Sequence, residues 1–401
     1  MQDLLRNRPT TTNEVLAAID DAPSQEIGAP DTIKFLGTLA RRLMTPSVRR
    51  SYPELASLGF FLRNSELIRL VEAAKGGPDD VVRVPRGLHF HIPPSNVDTV
   101  FVYSWALSLI SGNPNIVRIS ERCGGAARLV LDEIDSTLQH APNNLRATQW
   151  FLAIDHSEPA MADFSSRCAQ RVIWGGDEAV RAIRQHPLDA RGAELTFPDR
   201  TSLTVLNARF IAELDSSALD ALAAGFVNDV WWFDQAACSS PRTLVWVGNS
   251  DTQTNARRRF LDAVHSRLEA AGLGNDPAMA MQRRVSLYGV ALNDADASLD
   301  LTRSRLGLVQ ASERFVEWMG AGAFVEIFIE ELPDLAKMLK DRDQTMTHAG
   351  FQKSDLEALV RNLGPRSVDR VVGVGSALKF GRFWDGFDLL GSMTRHVTVA
   401  E

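Results

Sequence analysis

Cys238 is the residue of this chain whose surroundings best suit covalent chemistry. It stands in AspGlnAlaAlaCysSerSerProArg at 234–242, between an expected helix with an aromatic stretch and an expected strand. The small neighbours Ala236, Ala237, Ser239 and Ser240 let a substrate carbonyl come close and leave backbone N–H groups unobstructed for a developing oxyanion. A thiolate is the fitting nucleophile for a thioester, because exchange of one sulfur for another keeps the acyl group activated. The alternative is a buried cysteine packing as a small hydrophobe, since a thiol reacts only in an activating environment. Cys123 and Cys168 fall in or beside expected helices without such neighbours and read as structural. The three cysteines form no CxxC pair, so neither a disulfide framework nor a structural zinc site is expected.

Other segments offer binding chemistry. Asn96 lies in HisIleProProSerAsnVal at 91–97, a proline-stiffened turn entering a helix. Its amide can donate to an oxyanion, although Ser95 and Asn96 are equally good helix N-caps. SerGlyAsnProAsnIleValArgIleSerGlu at 111–121 reads as a turn and a strand, with Arg118 and Glu121 at the far end. Residues at the carboxyl end of a parallel strand face the crevice where nucleotides bind. Arg118 can hold a ribose or a 2′-phosphate and Glu121 can accept from ribose hydroxyls; a surface ion pair is the alternative. Gly175, Gly176 and Asp177 make a glycine turn between a strand and a helix start, where a pyrophosphate can sit. None of the eight histidines is spaced like a metal site. His89 and His91 alternate along an expected strand and read as structural or cleft-lining. His348 is expected in a polar loop able to approach a cleft, and His156 and His186 at the surface.

The elements that must position these residues follow from hydrophobic periodicity. Residues 1–80 read as amphipathic helices, with Leu36, Leu39 and Leu43, then Leu67, Ile68 and Val71, at helical spacing. After a break at 76–80, strands at 81–84, 88–92, 115–119, 149–154 and 171–174 alternate with helices at 97–110, 124–139, 158–168 and from 177. A second series has strands at 203–206, 243–247 and 369–373, helices at 212–227 and 251–272, and further elements at 311–318, 323–330 and 332–341. The last stretch, 390–401, reads as an edge strand. Such alternation indicates α/β architecture with parallel sheets, and 401 residues suffice for two domains joined near 200–210.

Hydrophobic residues at 45% and charged residues at 23% describe a soluble globular chain. A net charge of −7 argues against a nucleic-acid groove, though it leaves room for one local basic pocket for a phosphorylated cofactor. The opening MQDLLRNRPTTTNEV lacks the apolar core of a secretory signal. The longest apolar run, 97–110, is too short to span a bilayer. A cytoplasmic protein with unpaired thiols is expected.

Taken in order, ProSerAsn, GlyAsn followed by Arg118 and Glu121, the glycine turn and GlnAlaAlaCys resemble the aldehyde dehydrogenase superfamily. Within it, the chain is similar to the acyl-CoA reductase family that includes the bacterial bioluminescence fatty acid reductase subunit. The resemblance runs from about residue 81 to the C-terminus. GlnAlaAlaCysSerSerPro, ArgValValGlyValGly at 370–375 and TrpAspGly at 384–386 carry the reductase branch. It implies an aldehyde dehydrogenase-like fold of two doubly wound α/β domains plus a small oligomerisation strand element. Residues 1–205 would hold the N-terminal helices and NAD(P)-binding domain, 206–385 the catalytic domain, and 386–401 a C-terminal strand for oligomerisation.

The resemblance also implies roles. Cys238 would accept the acyl group, and Asn96 with the Cys238 backbone N–H would form the oxyanion hole. Arg118 takes the place of a ribose-binding lysine, Glu121 that of a ribose contact, and Gly175, Gly176 and Asp177 the turn below the pyrophosphate. Where hydrolytic members carry a glutamate base in a GluLeuGlyGlyLys-like segment, this chain reads GluLeuThrPheProAspArg at 194–200, with Glu194 the nearest candidate. That loss suits a reductase, whose acyl-enzyme should not have water activated beside it. The implied cofactor is NADPH, with NADH possible because a carboxylate at 121 repels a 2′-phosphate. The implied substrate is an acyl-CoA or an acyl carrier protein thioester, and a homo-oligomer would form through 81–92 and 390–401. The rival expectations are a redox-independent thiol hydrolase or acyltransferase using His348, and a non-catalytic nucleotide-binding protein.

Overall fold

In the computed structural model, every residue is described except 76–79, 95–98, 121–122, 156–157, 313–318, 365–366 and 401. The chain divides into two compact units, residues 1–198 with 380–401, and residues 199–379.

The first unit contains β1 (Gln2–Asp3), β2 (Arg8–Pro9), β3 (Val81–Pro85), β4 (His89–Ile92), β5 (Asn115–Ile119), β6 (Gln149–Ala153), β7 (Gln170–Trp174) and β8 (Ala193–Phe197). Seven strands form one sheet in the order β2-β1-β6-β5-β4-β7-β8, with β6 through β8 mutually parallel. Strands buried on both faces are a mark of parallel sheets, and all five residues of β5 are buried. Side chains alternate between two cores. Ile116 joins Phe90, Trp150 and Leu152 on one face, while Val117 and Ile119 join Phe151 and Val172 on the other. Helix Phe101–Ile110 is buried along its whole length, which accounts for the longest apolar run of the sequence. No described helix is long and apolar enough to cross a membrane. The helices between residues 30 and 75 cover the same core through Leu36, Leu39, Leu43, Leu67 and Val71, whereas Ile68 points outward at 44% exposure.

Counted from β4, the parallel strands lie in the order 3-2-1-4-5, the doubly wound arrangement. The chain reverses direction across the sheet between β4 and β7. The crevice beyond the carboxyl ends of these two strands is where such sheets bind ligands.

The second unit contains β9 (Thr201–Asn207), β10 (Pro241–Val247), β11 (Ser298–Asp300), β12 (Gly307–Gln310), β13 (Ala323–Ile329), β14 (Asp343–Ala349) and β15 (Arg370–Gly373), ordered β11-β12-β13-β10-β9-β14-β15. All pairs are parallel except β11 with β12. Leu203, Val205 and Val245 pack on one face, and Leu206, Leu244 and Trp246 on the other. A boundary between residues 205 and 206 would cut β9, a strand buried at six successive positions; the division falls earlier, after Pro198.

Residues 380–401 return to the first unit as β16 (Phe383–Trp384), β17 (Phe387–Asp388) and β18 (Thr394–Thr398). The expected terminal edge strand does not join the main sheet. It pairs antiparallel with β3, Thr394 opposite Pro85 and Thr398 opposite Val81, making a separate two-stranded ribbon.

Several elements differ from the periodicity reading. The helix expected at 212–227 is two, Ala208–Glu213 and Ser216–Trp231, because Asp215 caps a new start by accepting from the Ala218 N–H. The stretch 332–341 shortens to a 3₁₀ helix at Leu332–Lys337. Most of the element expected at 311–318 lies outside the described residues. Helices Pro277–Asn293 and Lys353–Arg361 and strands β11, β12 and β14 were not anticipated. β14 escaped because AspGlnThrMetThrHisAla reads as a polar loop; its hydroxyls are satisfied inside the sheet, Thr347 bonding Thr204 at 2.8 Å.

Candidate active site

Cys238 lies in the turn that joins helix Ser216–Trp231 to β10, at the amino edge of the second sheet. Its side chain is exposed while Ala237, Ser239 and Ser240 are buried, so a fixed turn presents one thiol. The other two cysteines differ. Cys168 is buried, and desolvation pushes its thiol up to about 12; Cys123 is half-buried against the first unit's core. A thiol held protonated is inert.

The turn is over-determined by hydrogen bonds. Asp234 and Gln235 both adopt positive φ, 47° and 65°, a conformation that costs non-glycine residues free energy and persists only where neighbours enforce it. The fully buried Gln235 supplies that enforcement. Its Nε2 donates to the carbonyls of Pro241 (2.8 Å) and Ala323 (3.0 Å), and its Oε1 accepts from the Gly322 N–H at 2.9 Å. Its own N–H donates to Val230 at 2.7 Å, which closes the helix end. The Ser202 hydroxyl donates to the Cys238 carbonyl at 2.6 Å and accepts from the Thr345 N–H. The Ser240 hydroxyl donates to the Asp229 carbonyl at 2.7 Å.

Arg242, four residues beyond the thiol, is buried at 7% exposure and donates to the backbone carbonyls of Met319, Arg200 and Gln235. Burial pulls its pKa down, while Cys238 and Asp199 act electrostatically in the opposite direction. The guanidinium and the thiol side chain thus interact electrostatically. Asp229, on the helix leading to the turn, carries a carboxyl pushed up to about 6 by burial, although it accepts from the N–H groups of Gly375 (2.6 Å) and Ala377 (2.9 Å). That carboxylate anchors the GlyValGlySer loop after β15.

His348 does not serve this thiol. It sits near the end of β14, opposite Val205, whereas the Cys238 carbonyl meets Ser202. Three residues of strand separate the two, roughly 10 Å along the sheet. The remaining histidine of this unit, His265, pairs with Glu269 on helix Ser250–Ala271. A cysteine–histidine hydrolase built on His348 therefore lacks its base.

In the first unit the described positions expected to meet a dinucleotide, Arg118, Gly175, Gly176 and Asp177, lie at the carboxyl edge. Arg118 is the penultimate residue of β5, at 7% exposure, and its Nε donates to the Ile154 carbonyl at 2.9 Å; burial lowers its pKa while Asp155 acts the other way. Gly175 follows β7, its N–H donating to Phe197 at 3.2 Å, and a Cβ there would meet only Ala179 at 3.2 Å. Gly176 caps helix Asp177–Ile183 without a side-chain cap, and Asp177 opens it. Asn96 and Glu121, as well as His156, lie outside the described residues. Trp174 at the end of β7 stacks on Phe197 with centroids 3.8 Å apart. His89 and His91 are fully buried, with pKa values lowered by burial to about 3 and about 4, so both are neutral core residues. Among the described residues no cluster suits a metal ion.

Glu194, the nearest counterpart of a hydrolytic base, is held near the amino end of β8 by Arg171 at 2.6 Å and Arg184 at 2.8 Å. A carboxylate in two such bonds has its lone pairs engaged. Sequence reasoning did not assign Gln235, Arg242 or Asp229. The signal was present, for Arg242 opens a strand otherwise free of charge and Asp229 interrupts an apolar helix.

A long-chain acyl-protein thioester reductase from Photobacterium leiognathi is 26% identical over 174 residues, 42% of this chain and 34% of that protein. One from Photorhabdus luminescens is 23% identical over 59% of this chain and 54% of its own length. The matched region thus spans from about a third to half of these relatives. Among solved structures, a putative aldehyde dehydrogenase from Burkholderia cenocepacia has a TM-score of 0.65 at 13% identity, covering 100% of this chain and 96% of that one. An oxidoreductase from Marinobacter aquaeolei gives 0.69 at 10% identity, covering 97% and 90%. The fold is aldehyde dehydrogenase-like. The acyl-CoA reductase (LuxC) family model matches residues 78–396, through both units, and the chain belongs to that family.

Proposed function

We propose that this protein reduces an acyl thioester to an aldehyde with NAD(P)H, through an acyl group carried on Cys238. The observation that carries the reading is the Cys238 turn: one exposed thiol, held by Gln235 and Ser202, beside a buried guanidinium. A thiolate stabilised by a fixed charge attacks a thioester without needing a proton acceptor. The thiol of CoA or of a carrier protein leaves and takes a proton, and Cys238 keeps the acyl group. The oxyanion formed on the way accepts from the Cys238 N–H and from the amide of Asn96.

A bound nicotinamide supplies hydride to the acyl carbon. Arg118, Glu121 and the Gly175–Gly176–Asp177 turn would hold the dinucleotide; the bare backbone of the turn and the doubly wound strand order fit such a ligand. NADPH is favoured by Arg118 as a cation for the 2′-phosphate, with NADH as the second possibility. After reduction, Cys238 departs as thiolate from the thiohemiacetal carbon and the aldehyde is free. The loss of the GluLeuGlyGlyLys-like segment at 194–200 suits an acyl-enzyme that is to meet hydride and not water. The long-chain acyl-protein thioesters named for the relatives suggest a fatty acyl substrate. We assign the β3–β18 ribbon to self-association, and place the protein in the cytoplasm.

The test is NADPH and NADH oxidation with a panel of acyl-CoAs, in the wild type and Cys238→Ala. Thioester-dependent oxidation should fall by about 10³-fold or more in the variant. Oxidation that survives the substitution contradicts the mechanism.

A further inference from the structure

A second cavity of the first unit lies at the amino edge of its sheet. Leu88, Ala169 and Gly192, the residues that immediately precede β4, β7 and β8, form its floor, and its volume is about 740 Å³. This is the end away from the glycine turn, one strand length or roughly 16 Å distant. Four arginines line it, Arg86, Arg167, Arg191 and Arg395, against one carboxylate, Asp189, a local excess of three positive charges (four minus one) in a chain of net −7.

These guanidiniums are brought together by the fold, and among the described residues one of the four, Arg191, meets a carboxylate. Arg395 stands on β18 opposite Val84, next to the chain segment that bears Arg86. The Arg86 Nε and Nη2 donate to the carbonyls of Ser392 and Thr394, both at 2.8 Å, which fixes its plane. Burial and then the neighbouring Arg395 charge lower the Arg86 pKa. Arg167 ends helix Pro159–Arg167, and Arg191 reaches Asp189 at 3.9 Å. Among the described residues, Arg86, Arg167 and Arg395 form no ion pair. Gathering like charges is unfavourable unless a ligand offsets it, and the guanidinium fork matches phosphate oxygens bidentately. A lone phosphate would leave most of the volume unfilled, whereas the size falls in the range of cofactor and nucleotide pockets. A neighbouring cavity shares Arg86, Arg167 and Arg395 and adds Arg83.

We propose that this cavity binds a small molecule bearing two phosphate groups, a phosphoanhydride or bisphosphate, at a site separate from the dinucleotide edge. The inference does not rest on the reductase reading and can stand or fall alone.

The test is calorimetric titration of the full chain with inorganic pyrophosphate and, separately, ADP, at constant ionic strength, using wild type and Arg167→Ala/Arg191→Ala, both outside the β3–β18 ribbon. Both substituted side chains are exposed, and circular dichroism with NADPH titration checks that fold and cofactor site persist. The expected result is saturable one-to-one binding weakened at least about tenfold in the double variant, with NADPH affinity unchanged. Tighter binding of ADP than of pyrophosphate would identify the ligand as a nucleotide, and equal binding would assign recognition to the phosphates alone. Absence of saturable binding, or binding indifferent to the substitutions, overturns the proposal. So does a shift in oligomeric state on losing the arginines without any pyrophosphate binding, which would make the cavity a protein interface.

Discussion

The two units are built on the same plan, a mostly parallel sheet with a core on each face, yet the groups we propose to be functional lie at opposite edges of their sheets. In the first unit Arg118 is the penultimate residue of β5, and Gly175 and Gly176 follow β7, at the carboxyl ends where a doubly wound sheet leaves a crevice. In the second, Cys238 precedes β10 and so lies at the amino edge. The difference reflects what each chemistry demands. A dinucleotide needs bare backbone and a helix start, which the carboxyl edge provides from topology alone. A nucleophile needs one side chain held within a fraction of an ångström, and a hydrogen-bonded turn anchored by Gln235 provides that wherever it occurs.

The comparison breaks most severely at Gln235. Gln235→Ala leaves the Gly322 N–H and the carbonyls of Pro241 and Ala323 without partners, and puts alanine at φ 65°. The expected loss is about 4 kcal/mol in urea unfolding, with turnover falling further than cofactor affinity.

Asp229 tests the same turn through pH. Its carboxyl, near 6 in the folded chain against an ordinary 3.8, binds its proton more tightly when folded. The resulting stabilisation is complete below about pH 4 and is lost as pH rises through 6. Wild-type stability relative to Asp229→Asn should therefore fall between these pH values, by on the order of 3 kcal/mol, and stay level above. A difference that does not vary with pH would assign Asp229 an ordinary carboxylate.

A smaller and more discriminating effect comes from a pair of variants, one at each edge. Arg242→Gln should raise the midpoint of the pH profile of Cys238 alkylation by about one unit, slowing the reaction about tenfold at pH 7, and leave NADPH binding intact. Gly176→Val should do the reverse, weakening NADPH by about tenfold with alkylation unchanged. If either variant alters both readouts, the two edges do not act separately.

Much of this was legible in the sequence, and the pattern of success is physical. β5, β7 and β10 show as short apolar runs because strands buried on both faces require continuous apolar side chains. The thiol turn shows because small residues cluster about Cys238. β14 did not show, since its Thr347 pairs with β9 and its Thr345 with β15 in three dimensions and no local period records that. The functions of Gln235 and Arg242 were hidden for the same reason. Their partners Ala323 and Met319 lie 88 and 77 residues away, a distance only the folded sheet closes. The closing segment was legible as a strand but not as the partner of β3, because a ribbon across 300 residues carries no sequence signature of its pairing.

The central claim is that the acyl group rests on Cys238 and leaves by reduction. Mass spectrometry of the peptide containing Cys238, after incubation with an acyl-CoA and no reductant, tests this most directly. The account predicts one acyl mass added at Cys238, stable in buffer and discharged as aldehyde when NADPH is supplied. An unmodified Cys238 in protein that nevertheless forms aldehyde, or an acyl adduct that NADPH does not discharge, would contradict it.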